Sequence, residues 1–169
     1  MGKKSKLTAQ PLSISKKNIF ISESLKTTHL LAASFAEKLQ RGDIVFFIGE
    51  LGSGKTAFIQ GIVSYFGIKE YARSSSFIIA SEYQIKSASE NKEAGASKTK
   101  SCKLFHLDLY RLTSADLLNI GIEEYLDGQN IVLIEWAQRL EDLKIKPNWK
   151  IEMIYEGNFE RKIIIERVK

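Results

Sequence analysis

Two unbroken apolar runs, Ile44–Ile48 and Ile131–Ile134, set the hydrophobic pattern of this chain. Both are rich in β-branched residues, and the first also holds Phe46 and Phe47. They predict strands buried on both faces, as in the middle of a parallel sheet. Elsewhere the period changes. Leu31, Phe35 and Leu39 recur at helical spacing and predict a helix over 23–40. Phe58, Ile62 and Phe66 do the same after Thr56, with Gly67 as the stop. Asn18–Ile21 and residues 77–85 read as strands. Residues 104–110 alternate so that His106, Asp108 and Tyr110 share one face, and Leu107 and Leu109 the other. Thr113-Ser114-Ala115-Asp116 matches a capping box opening a helix towards Tyr125, with Gly128 beyond its end. A short helix follows Glu135 to about Lys144 and Pro147 breaks it. Strands near 150–155 and 162–167 then predict a C-terminal β-hairpin. Strands alternating with helices imply an α/β fold.

Charge and composition divide the chain further. The net charge is +5, and residues 1–17 carry five lysines and no acidic residue. Residues 86–103 hold five lysines against Glu90 and Glu93 and lack large apolar side chains. These segments predict a disordered basic tail over 1–17 and a flexible insertion over 86–103, within one domain spanning 18–169. The remaining chain is slightly acidic, so the excess charge does not mark a folded nucleic-acid face, although a lysine tail can steer towards RNA. The apolar runs are of strand length, too short to span a membrane. Cys102 is the only cysteine, which excludes an internal disulfide. The N-terminus shows no secretory apolar stretch, and Lys6 stands where a myristoylation motif needs Ser or Thr. A cytoplasmic location is the expectation.

The chemistry is concentrated at the end of the first apolar run. Gly49-Glu50-Leu51-Gly52-Ser53-Gly54-Lys55-Thr56 matches the phosphate-binding loop G-x-x-x-x-G-K-[ST]. Its glycines let the backbone curl and aim N–H groups at phosphate oxygens. Lys55 is expected to reach the β- and γ-phosphates, and the Thr56 hydroxyl to sit on Mg²⁺. The helix that starts here, with Ala57 in its first turn, adds its positive end. A mostly parallel sheet of the P-loop NTPase kind, flanked by helices, is therefore predicted. Such sheets bind ligands beyond the carboxyl ends of their strands, where Asp108 and Glu135 fall. Either carboxylate could hold Mg²⁺ or orient a water. His106 reads as hydrogen-bonded structure. No cysteine–histidine zinc cluster and no G-x-S-x-G nucleophile motif occurs. The guanine-specific Asn-Lys-x-Asp pattern is also missing, because Ala94 follows Asn91-Lys92 where Asp is required. ATP is the expected nucleotide.

These residues together resemble one family, the bacterial tRNA threonylcarbamoyladenosine biosynthesis ATPase family, TsaE. The resemblance rests on the phosphate loop, on His106-Leu107-Asp108-Leu109-Tyr110-Arg111-Leu112, on Gly121-Ile122-Glu123-Glu124-Tyr125 and on Glu135-Trp136, in order over residues 24–136. The chain departs from the family in three places. Ser74-Ser75-Ser76-Phe77 replaces Ser-Pro-Thr-Phe/Tyr, the 86–103 insertion is long, and Ala137 replaces the Pro after Glu-Trp. The resemblance implies an ATP hydrolase, weak alone, that resets the threonylcarbamoyl-transferase subunit TsaD and its paralogous scaffold TsaB, and meets tRNA through that complex. It implies nucleotide contacts from Thr28, Ser76, Trp136 and Arg161, and Mg²⁺ held by Thr56 and Glu135 with support from Asp108. The rival reading is a P-loop small-molecule kinase, although residues 86–103 contain no arginine to clamp phosphates. A nucleotide-sensing adaptor and a direct tRNA binder are the remaining alternatives.

Overall fold

The computed structural model of the chain describes residues 16–68, 80–85, 102–119 and 121–169. In chain order the elements are β1 (Lys17–Ser22), α1 (Leu25–Ala36), β2 (Ile44–Ile48), α2 (Lys55–Tyr65), β3 (Ala80–Gln84), β4 (Lys103–Asp108), α3 (Ser114–Asn119), β5 (Ile131–Glu135), β6 (Trp149–Gly157) and β7 (Glu160–Arg167). Short 3-10 segments occupy Ile122–Tyr125 and Ala137–Leu143. The strands form one sheet in the order β1-β7-β6-β2-β5-β4-β3. β6, β2, β5 and β4 run parallel; β7, β1 and β3 attach by antiparallel pairing. Five strands therefore point one way, and only β7 and β3 point the other. The predicted α/β class and the C-terminal hairpin are both present.

The central strands are apolar throughout because both faces are covered. On one face Val45, Phe47, Leu133 and Ile151 pack against Leu31 and Phe35 of α1 and Phe58 and Ile62 of α2. Phe35 meets Trp149 edge-on with ring centroids 5.3 Å apart. On the other face Phe46, Leu107, Val132 and Ile134 pack against Leu117, Ile122 and Leu140. The strand's two-residue alternation delivers successive side chains to these two layers.

Several boundaries differ from the sequence expectation, each for a local reason. Helix α1 starts after Ser24, whose hydroxyl caps the Thr27 N–H at 3.1 Å, and it ends at Ala36 rather than at 40. Lys38 and Leu39 instead donate to the carbonyls of Phe35 and Ala36, a tightened last turn that keeps Leu39 packed on the core. The Thr113–Asp116 capping box is present, with reciprocal bonds of 2.8 and 3.3 Å. The helix it opens does not run to Tyr125. Gly121 adopts φ +63° and separates α3 from the 3-10 segment. Lys17 belongs to β1, where it pairs with Glu166, so the strand takes the last residue of the expected tail. Lys103 likewise belongs to β4 and forms an ion pair with Glu82 at 2.8 Å. Residues 1–15, the stretch 86–101 and residues 77–79 of the expected third strand lie outside the described residues. Among the described residues, no helix is long and apolar enough to cross a membrane.

Candidate functional site

The chain leaves the centre of the sheet at Ile48 and turns through the phosphate loop into α2. Gly49 makes that exit possible. It adopts φ +150°, and a Cβ there would stand 2.2 Å from the Met153 carbonyl oxygen of neighbouring β6. That obstacle is backbone and cannot swing aside. Gly49→Ala is expected to cost about 3 kcal/mol or more of stability, from overpacking combined with backbone strain. Urea unfolding reads this directly, and a variant as stable as the parent would contradict it. Further along the loop, Gly54 lies against Arg161, whose Nε would be 3.3 Å from an added Cβ. Arg161 is held there by its Nη1, which donates to the Phe159 carbonyl at 2.7 Å.

Lys55 opens α2 and is only 4% exposed. Its Nζ donates to the Gly49 and Glu50 carbonyls at 2.8 and 3.0 Å and lies 4.1 Å from the centre of the Trp136 ring. Burial holds the Lys55 pKa below the ordinary lysine value, against the opposing pull of Glu135, Asp108 and Glu50. An ammonium in this position is satisfied by neutral carbonyls and a ring face. Anionic oxygens would satisfy it better.

Beside it, strand alternation places three polar groups on the α2 side of the sheet. Glu135 ends β5 and is 2% exposed. Its Oε1 and Oε2 accept from the Thr56 hydroxyl at 2.9 and 3.1 Å. Its Oε1 also meets His106 Nε2 at 2.9 Å. Asp108 ends β4 directly opposite Glu135 in the parallel register. Its Oδ1 accepts the Tyr110 N–H at 3.1 Å, which fixes the turn that carries Tyr110 back over the site. Trp136 follows Glu135 with φ +59°, a conformation that is costly for an aromatic residue. In this conformation its ring meets both the Lys55 ammonium and the Tyr110 ring, whose centroid is 4.8 Å away.

Most of the sequence-predicted residues converge. Leu51, Gly52, Gly54, Lys55, Thr56, Asp108, Glu135 and Trp136 line one cavity of about 230 Å³, joined by Tyr110. Gly49 and Glu50 supply the carbonyls under Lys55. Ser53 is buried, and its hydroxyl has no hydrogen-bond partner among the described residues. Ala57 occupies the next position of α2, and Arg161 stands at the loop's edge. Thr28 does not join them. It is buried in α1 with its hydroxyl against Ser22 Oγ at 2.7 Å and the Ser24 carbonyl at 3.2 Å, and it does not line the cavity. Ser76 lies outside the described residues. Tyr110 joins the cavity lining beyond the predicted set, and His106 stands behind Glu135 without lining the cavity. Their shared alternation with Asp108 was the available signal.

The arrangement suits a nucleotide phosphate with its cation. A buried cationic lysine and a helix N-terminus face the cavity, an orphaned hydroxyl sits in the loop, and Thr56 and Glu135 offer the hard oxygen donors that Mg²⁺ takes.

Comparison with known proteins gives a consistent result. The family model described as "Threonylcarbamoyl adenosine biosynthesis protein TsaE" matches residues 22–163. A Bacillus subtilis protein named tRNA threonylcarbamoyladenosine biosynthesis protein TsaE is 30% identical over 146 residues, covering 86% of this chain and 81% of the relative. A Rickettsia typhi protein of the same name is 31% identical, covering 85% and 91%. Among solved structures, the crystal structure of Bacillus subtilis YdiB superposes with a TM-score of 0.69 at 26% identity, covering 94% of this chain and 90% of that one.

Proposed function

The chain belongs to the TsaE family of threonylcarbamoyl adenosine biosynthesis proteins, and from that premise we propose that it is the ATP-hydrolysing subunit of the machinery that makes threonylcarbamoyladenosine in tRNA. The observation that carries this reading is the Thr56–Glu135 pair beside buried Lys55 at the mouth of the phosphate loop. Bound ATP and Mg²⁺ would supply the phosphoryl group and the cation that neutralises its charge. The chain's own residues do the rest. Lys55 exchanges the Gly49 and Glu50 carbonyls for phosphate oxygens. Thr56 and Glu135 hold the cation, directly or through water, with Asp108 beside them. Glu135 or Asp108 orients the attacking water. The loop's backbone N–H groups and the start of α2 stabilise charge on the leaving phosphate. Arg161 lies close enough to the loop to join them, and Ser76, Trp136 and Thr28 are assigned nucleotide contacts on the family resemblance.

Hydrolysis by the isolated chain should be slow, because phosphoryl transfer rests on positioning that partners complete. The partners in this reading are TsaD and TsaB, which the chain resets between turnovers in the cytoplasm, meeting tRNA through them. The test is phosphate release from ATP by the purified protein, with and without both partners and tRNA. Stimulation of about tenfold or more supports the reading. Equal rates with and without partners overturn it. Phosphate appearing on an added small metabolite would move the assignment to a kinase. Tight binding without hydrolysis in the full mixture would move it to a nucleotide-sensing adaptor.

A further inference from the structure

Behind Glu135 stands a side chain for which the phosphate loop has no use. His106 is 3% exposed and directs Nε2 at Glu135 Oε1 over 2.9 Å. β4 and β5 run parallel with Asp108 opposite Glu135, so His106, two residues back on the same face, reaches the carboxylate diagonally. An ionised carboxylate only accepts hydrogen bonds, so the proton of this contact belongs to His106 Nε2. The same carboxylate accepts the Thr56 hydroxyl hydrogen. A hydroxyl has one hydrogen and two lone pairs. Once Glu135 takes the hydrogen, the lone pairs of Thr56 are left for the cavity that Thr56 lines. The three residues form a directed chain: His106 donates to Glu135, Glu135 orients Thr56, and Thr56 presents oxygen to the cavity.

We propose that His106 is a positioning residue that sets the divalent-cation affinity of this site through Glu135, an inference that rests on the nucleotide reading above. Its contribution is geometric. A buried carboxylate with two fixed donors has one orientation, whereas with the Thr56 hydroxyl alone it can rotate about its last torsion. Partners of this kind typically change metal affinity by about 10–100-fold when removed.

The test compares His106→Met with His106→Gln. The two side chains match in length, and only Gln offers a donor. The probe is a non-hydrolysable ATP analogue, bound once in EDTA and once across a Mg²⁺ titration. His106→Met is expected to raise the Mg²⁺ concentration for half-maximal binding by about tenfold or more. Its affinity in EDTA should stay at the parent value, and His106→Gln should recover much of the Mg²⁺ response. A folded His106→Met with the parent's Mg²⁺ requirement overturns the proposal. So does an equal loss with and without Mg²⁺, which would make His106 merely structural. If His106→Met does not fold, His106→Ala carries the same comparison. If the parent protein binds no analogue under either condition, the nucleotide reading itself fails and takes this proposal with it.

Discussion

Replacing Lys55 by Met is expected to weaken ATP binding by about 100-fold, because charge-assisted bonds to phosphate contribute about 1.5–3 kcal/mol. The methionine keeps an apolar stem and removes the ammonium, with its bonds to the Gly49 and Glu50 carbonyls and its place over the Trp136 ring. The loss should be similar in EDTA and in Mg²⁺, because the proposed role of Lys55 is to meet phosphate rather than the cation. Stability should move differently. Burial is the largest influence on Lys55 and lowers its pKa, so the folded state holds this proton less tightly than the unfolded chain does. Below the folded value the charged, desolvated lysine disfavours folding. That penalty fades as pH climbs from the folded value towards the ordinary 10.5 of the unfolded chain. The parent should therefore gain stability across that alkaline window relative to Lys55→Met. Isothermal titration with ATP and melting temperature against pH check the two halves. Undiminished ATP binding would remove Lys55 from the site. A constant melting difference between the proteins across the window would refute the burial account.

Glu135→Gln should separate binding from turnover. Nucleotide affinity in EDTA is expected to stay near the parent value, while partner-stimulated hydrolysis falls by about 10²–10³-fold. The shape of the side chain is kept, and an amide oxygen in the place of Oε1 can still accept from both His106 and Thr56. The NH₂ then replaces Oε2, 3.1 Å from the Thr56 hydroxyl, and a hydroxyl that accepts from it turns a lone pair away from the cavity. The negative charge that would balance a cation is also lost. Rapid-mix phosphate release and analogue binding measure the two effects. Unchanged hydrolysis would exclude Glu135 from the chemistry. A parallel loss of binding and hydrolysis would make it a structural carboxylate.

These variants touch residues that were legible to very different degrees. The phosphate loop was visible because its demands are local: glycines for a tight turn, a lysine and a threonine at fixed spacing, a buried strand before and a helix after. Glu135 and Asp108 were visible as carboxylates at strand ends in an α/β pattern. His106 was legible as hydrogen-bonded structure but its partner was not, because alternation gives the face a side chain occupies and not what lies across it. Only the parallel pairing of β4 with β5 brings His106 to Glu135, 29 positions away in the chain. Thr28 shows the converse. The family resemblance assigns it to nucleotide, while in the folded chain its hydroxyl is engaged with Ser22 and Ser24.

Boundaries divide along the same line. Helix and strand type followed from the period of apolar residues, and the Thr113–Asp116 cap from a four-residue motif. The early end of α1 and the break at Gly121 were set by packing and by a single left-handed backbone angle, which no period encodes.

The amino-acid sequence by itself determined the α/β class, the double-sided burial of β2 and β5, the phosphate loop and the two carboxylates, since each depends on residues within a few positions of one another. Tertiary structure alone decided the strand order β1-β7-β6-β2-β5-β4-β3, the close approach of β6 that requires glycine at 49, the turn of Trp136 over Lys55 and the chain from His106 to Thr56. Those features depend on distances between segments far apart in the chain, and such distances exist only once the two apolar layers have packed on the faces of the sheet.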